Sequence, residues 1–139
     1  MTIDPHRLGA FQTILNLADA SVADSAKLLT DPWHGRVFLN PPYGPLTRQF
    51  MTKMVNHHNG IALLASRTET ALFHRYVFGV SSAALFVEGR EPLDTSQRAV
   101  PIVLVAYTDE DAWALRLSDI KGHFVWLDNS KRTGERTLT

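Results

Sequence analysis

Asn40-Pro41-Pro42-Tyr43, placed directly after the apolar run Val37-Phe38-Leu39 and followed by Gly44, has residue types and a spacing suited to activating a planar exocyclic amine. An amine such as adenine N6 is a poor nucleophile because its lone pair is delocalised into the ring. Two acceptors facing it bind its two hydrogens and favour a pyramidal nitrogen whose lone pair points at an electrophilic methyl group. A side-chain amide oxygen supplies one acceptor and a backbone carbonyl the other. Asn40 fits the first role. The carbonyl of Pro41 fits the second, because two successive prolines fix φ and hold the backbone extended. The ring of Tyr43 can then stack on the base. Neither Asn nor Pro is ionised, so this chemistry rests on positioning rather than on a strong general base. A plain strand followed by a Pro/Gly turn accounts for the same four residues, since Asn-Pro and Pro-Pro also mark turns. Context decides between the two.

The elements that would position the motif are read from the apolar pattern. Leu8, Phe11, Ile14, Leu15, Ala18 and Val22 recur at helical spacing, which predicts one helix or two short ones over residues 5–29. Val37-Phe38-Leu39 is β-branched and aromatic and stops at Pro-Pro, which favours a strand. Leu46, Phe50, Met51, Met54 and Val55 form the stripe of a helix, with Pro45 in its first turn and Asn59-Gly60 at its end. Ile61-Ala62-Leu63-Leu64-Ala65 is a continuous apolar run, as expected of a strand buried on both faces. Ser66-Arg67-Thr68-Glu69 has the spacing of a capping box, and Leu72, Phe73, Tyr76 and Val77 continue a helix that Gly79 ends. Residues 83–87 read as a buried strand, and residues 100–107 as the next, with Pro101 near its start. Residues 109–117 read as a helix and residues 123–127 as the closing strand. A polar, partly basic tail over residues 128–139 is expected to be flexible.

This alternation predicts a single α/β domain over residues 1–127, with a largely parallel sheet and flanking helices. Ligands on such sheets bind beyond the carboxyl ends of the strands, where Asn40 to Tyr43 and Ser66 to Glu69 both fall. A chain of 139 residues is large enough for one core but small for a complete cofactor-binding enzyme. With 14 basic and 14 acidic residues its formal net charge is zero, so no global signature of nucleic-acid binding exists and a local patch is the open route. The lack of cysteine excludes disulfides and thiolate metal sites. The six histidines are scattered, and His57 and His58 point in different directions on a helix end, so no metal site is expected. The first residues hold no apolar leader and no stretch reaches membrane-spanning length, which predicts a soluble, cytoplasmic protein.

Trp33-His34-Gly35-Arg36-Val37-Phe38-Leu39-Asn40-Pro41-Pro42-Tyr43-Gly44 resembles the phage-type DNA N6-adenine methyltransferase family. The likeness continues through residues 60–70, Phe73-His74, residues 84–90, residues 101–107 and residues 120–125, in order and with similar spacing over most of the chain from 33 to 127. The resemblance implies an S-adenosylmethionine-dependent enzyme on a Rossmann-like sheet that methylates adenine N6 in DNA. It implies that Asn40 and Pro41 hold the amine, that Pro42 sets the backbone, and that Tyr43 stacks on a base extruded from the duplex. Arg67 and Arg90 match arginines of the family that would meet substrate phosphate or a cofactor carboxylate, with a salt bridge at the sheet end as the plain alternative.

The departures shape the expectation equally. A Trp-x-Thr-Pro segment and the cofactor helix and strand that precede the motif in the family have no counterpart here, so the fold is expected to be incomplete at its N-terminus. Asp4-Pro5 is similar to the Asp-Pro that ends the family's first cofactor strand, which makes Asp4 and Pro5, beside Asn40, the candidate cofactor residues; a helix N-cap is the other role open to Asp4. A homo-oligomer covering the exposed sheet edge is expected to complete the site. After Arg90, the short polar stretch 91–98 replaces a longer apolar loop of the family. Two further readings stay open: a degenerate relative without catalysis that binds DNA or protein in phage and host conflict, and the same chemistry directed at a protein glutamine or an RNA guanine.

Overall fold

From its N-terminus the chain runs through a 3-10 turn at Pro5–Leu8, β1 (Thr13–Asn16), α1 (Val22–Thr30), β2 (Val37–Asn40), α2 (Thr47–His57) and β3 (Gly60–Ala65). It continues through α3 (Ala71–Phe73), a π-helical segment (His74–Phe78), β4 (Ala83–Val87), β5 (Glu91–Pro92), β6 (Ala99–Val100), β7 (Ile102–Ala106), α4 (Asp109–Arg116) and β8 (Gly122–Trp126). This computed structural model describes residues 3–92 and 99–127, so the expected tail at 128–139 and most of the stretch 91–98 lie outside the described residues.

The architecture is α/β. Six strands form one sheet in the order β1-β2-β3-β7-β4-β8. β1, β2 and β3 are mutually parallel, whereas β7 is antiparallel to both β3 and β4, and β8 is antiparallel to β4. Four strands therefore share one direction and two oppose it, a mixed sheet rather than an all-parallel one. Alternate side chains of the strands feed two core layers. Val37, Leu39, Ala62 and Leu64 pack with Phe50, Met51 and Met54 of α2 and with Phe73 and Val77. Phe38, Ile61 and Leu63 pack on the other face with Ala112 and Leu115 of α4 and with Ile3 and Leu8.

The predicted strands at 37–39, 61–65 and 83–87 match β2, β3 and β4, because continuous apolar runs suit strands covered on both faces. Of the one helix or two short ones expected over residues 5–29, only the 3-10 turn and α1 are helical, with a strand between them. The apolar residues of this stretch serve three elements: Leu8 caps the second core layer from the 3-10 turn, Leu15 faces the first layer from β1, and only from Val22 does a helix run. Ser21 starts that helix by accepting a hydrogen bond from Asp24 N at 3.0 Å. β1 pairs in register with β2 from Thr13↔Val37 to Asn16↔Asn40. The β2 edge is thus covered by the chain's own N-terminal segment, and β1 in turn stands at the edge of the sheet.

Gly60 opens β3 rather than ending α2. It sits at φ +138°, and a Cβ there would lie 1.9 Å from the Val37 carbonyl oxygen, so only glycine permits this approach of β3 to β2. The left-handed residue at the end of α2 is His58, φ 54°. At the same end of the sheet, Asp111 of α4 is fully buried and accepts hydrogen bonds from Arg36 Nε, from Gly60 N at 2.7 Å and from the Thr108 hydroxyl. One carboxylate thereby ties the starts of β2, β3 and α4. Tyr107, also buried, donates its hydroxyl to the Tyr76 carbonyl at 2.7 Å, and burial pushes its pKa up, so it remains a neutral donor.

Candidate active site

β2 and β3 are parallel neighbours, so Asn40 and Ala65 end at the same edge of the sheet. The motif Asn40 to Tyr43 and the segment 66–70 meet there: the Ala65 N–H donates to the Tyr43 hydroxyl at 3.2 Å. Asn40 is fully buried, and its amide nitrogen donates to Asn16 Oδ1 at 2.9 Å. That bond fixes the amide plane and turns Oδ1 to the side away from Asn16. Asn16 is the last residue of β1, one register pair from Asn40.

Past Asn40 the chain is stiffened by Pro41 and Pro42, both buried. The Thr47 hydroxyl, in the first turn of α2, donates to the Pro42 carbonyl and accepts from Gly44 N at 3.0 Å. This clamp uses the Pro42 carbonyl and leaves the preceding one for other work: among the described residues no hydrogen bond takes the Pro41 carbonyl. Side chains of Tyr43, Thr47, Leu64, Thr70, Leu72 and Phe73 enclose a largely apolar cleft of about 250 Å³, with Arg67 at its wall. Its size falls below the roughly 300–1,000 Å³ of sites for drug-sized ligands, which suits a single planar ring system. Tyr43 is 43% exposed, its ring forming one side of that cleft.

No family model, curated protein or solved structure matches this chain. The site is therefore read from its own geometry.

Arg67 lies where a substrate residue should, beside Tyr43, but it is exposed and engages Glu69 at 3.1 Å. A hydrogen bond from its own backbone, followed by that from Arg67, holds the Glu69 carboxyl below the usual carboxylate range. The expected capping box at 66–69 does not form. Thr70 is the N-cap of α3 instead, accepting from Phe73 N at 3.2 Å, because Glu69 is turned to Arg67. Arg90 is exposed, three residues past the end of β4. β4 ends at the same edge as β3 but stands beyond β7, so about 10 Å of sheet separates the two strands. Arg90 accordingly does not line the cleft with Arg67.

Asp4 and Pro5 serve a different purpose from the one expected. Asp4 accepts from His6 N at 3.0 Å and caps the 3-10 turn, while the flanking Ile3 and Leu8 bury themselves in the α4-side core. The side chain adjoining Asn40 is that of Asn16, a residue the helical reading of 5–29 concealed. Thr47 was equally invisible, since its role depends on a carbonyl five residues back.

His57 Nε2 bonds the Gly35 carbonyl at 2.7 Å and His58 faces Tyr107, so the two rings diverge as expected. Among the described residues no group of histidine and acidic side chains could hold a metal ion, and no helix is long and apolar enough to cross a membrane.

Proposed function

We propose that this protein transfers a methyl group from S-adenosylmethionine to adenine N6 in DNA, on a Rossmann-like sheet whose parallel part is β1 to β3. The observation that carries the reading is the pair of acceptors at the end of β2, the buried Asn40 amide, oriented by Asn16, and the Pro41 carbonyl, followed two residues on by Tyr43, which lines a cleft sized for one flat ring. Asn40 and Pro41 are buried behind the cleft rather than lining it, so adenine stacked on Tyr43 meets Asn40 Oδ1 and Pro41 O with its exocyclic amine only once the cleft opens toward the end of β2. Both hydrogens of N6 are then bound, and its lone pair is free to attack. With a methyl donor bound, Asn40 and Pro41 would hold N6 in line for the transfer, and the surplus amine proton would pass to water.

S-adenosylmethionine supplies the electrophilic methyl on a sulfonium when bound. Residues fitted to hold it stand at the carboxyl end of β1 and the turn into α1, beside Asn40: Asn16 and Asp19, both exposed. The capping role of Asp4 takes Asp4 and Pro5 out of that set.

One observation favours a second reading, a binding module without catalysis. The turn 17–21 between β1 and α1 contains no glycine, and Leu17 within it is buried, so its backbone does not offer the close approach that glycine gives a nucleotide cofactor. Calorimetric titration separates the two. Under the methyltransferase reading S-adenosylmethionine binds with a dissociation constant in the micromolar range typical of enzyme substrates. Absence of binding up to millimolar concentration sinks that reading and leaves the binding module.

A further inference from the structure

Although the formal net charge of the chain is zero, basic side chains gather along one described surface. The cleft beside Tyr43 shares Leu72 with a second of about 380 Å³, lined by Arg48, His74, Arg75 and Tyr76. This second cleft shares Arg48 with a third of about 410 Å³ that includes Gln49, Thr52 and Lys53. Among the described residues no acidic side chain lines any of the three. Five cationic or titratable basic side chains thus succeed one another across α2 and the π-helical segment: Arg67, His74, Arg75, Arg48 and Lys53.

Their partners divide them. Arg67 is engaged with Glu69, and the Lys53 ammonium donates to the carbonyls of Leu28, Leu29 and Asp31 at the end of α1. Arg48 and Arg75 are exposed and, among the described residues, form no ion pair. The ground between them is tied together: the Thr52 hydroxyl, one turn after Arg48, donates to the Arg48 carbonyl at 3.0 Å and accepts from the Tyr76 hydroxyl at 2.9 Å, which joins α2 to the π-helical segment. Single π-helical turns recur at functional sites, where they re-aim side chains out of the regular helical array. Two unpaired guanidinium groups on a fixed groove match phosphate diesters, whose oxygens accept paired N–H donors.

We propose that this succession of clefts docks the sugar-phosphate backbone of a DNA strand, which runs from the base at Tyr43 across α2 and over Arg48 and Arg75. The choice of DNA rests on the methyl-acceptor reading above, whereas the surface itself rests on charge and geometry. A strand laid here places its phosphates on the arginines and delivers one base into the first cleft.

Fluorescence anisotropy with a labelled, adenine-containing single-stranded oligonucleotide tests this without requiring methyl transfer. Arg48→Ala/Arg75→Ala should weaken binding at least tenfold at low salt. It should also flatten the dependence of log K on log salt by about 1.4, two phosphate contacts at roughly 0.7 each for a single strand. Arg48→Lys/Arg75→Lys should restore most of the affinity, which a folding defect would not allow. Arg116→Ala, an exposed cation on α4 against the opposite face, should bind like the unaltered protein. Undetectable binding by the unaltered protein, an unchanged salt slope in the alanine pair, or an equal loss in Arg116→Ala overturns the proposal. So does displacement of the DNA by polyglutamate or by RNA of the same sequence at matched charge, which would assign the groove to an acidic protein or to RNA. A chain that binds DNA this way but produces no methylated base leaves the surface standing and removes the enzymatic reading.

Discussion

Asn40→Ala should abolish measurable methyl transfer, lowering turnover by about 10²–10³-fold or more, or roughly 3–4 kcal/mol of transition-state stabilisation. The same substitution should leave S-adenosylmethionine affinity within about tenfold, roughly 1.4 kcal/mol. Alanine removes the acceptor that faces the amine, whereas the Pro41 carbonyl and the cleft beside Tyr43 persist, so the base still enters but N6 loses half of its orientation. Asn16 tests the orientation of Asn40, with turnover read at saturating S-adenosylmethionine because Asn16 is also placed against the donor. Asn16→Leu removes the acceptor that fixes the Asn40 amide and should lower turnover, while Asn16→Asp retains an acceptor for Asn40 Nδ2 and should keep more of it. Turnover with a labelled methyl donor reads all three variants. An Asn40→Ala protein that turns over normally refutes the amine-holding role.

The largest effect on stability belongs to the other end of the sheet. Asp111→Ala should cost about 3–5 kcal/mol, because it leaves the Arg36 guanidinium largely buried without its counter-ion and orphans the Gly60 N–H. That is a large fraction of the roughly 5–15 kcal/mol by which domains are stable. Asp111→Asn keeps acceptors for Gly60 and Thr108 but loses the charge, and should fall between. Urea unfolding measures both; a loss below about 1 kcal/mol for the alanine variant would contradict the role assigned to this carboxylate.

Much of what positions the site is legible in the residues themselves. Val37 to Leu39 and Ile61 to Ala65 are apolar without interruption because both sheet faces are covered, and the Pro-Pro stop after Asn40 marks the strand end directly. Other features are legible only from partners distant in sequence. Asp111 reads as one of three acids in a helical first turn, and its partner Arg36 lies 75 positions away. Residues 5–29 mislead because Leu8, Leu15 and Val22 fall at helical spacing by serving three separate elements, and a strand of four residues is too short to show its own period. Gly60 is a natural helix stop in the sequence, but the demand on it comes from the Val37 carbonyl of a neighbouring strand. The basic groove escapes notice for the same reason: Arg48 and Arg75 are 27 positions apart, and only the packing of α2 on the π-helical segment brings them to one surface.

The most direct test of the account is to incubate the protein with S-adenosylmethionine and adenine-containing DNA, digest the DNA to nucleosides and identify them by mass spectrometry. N6-methyl-2′-deoxyadenosine, dependent on the unaltered Asn40, is the result expected. Unmodified adenine after prolonged incubation at saturating donor, or the same yield of methylated base from Asn40→Ala, would contradict the assignment of the β2 end as a methyl-transfer site.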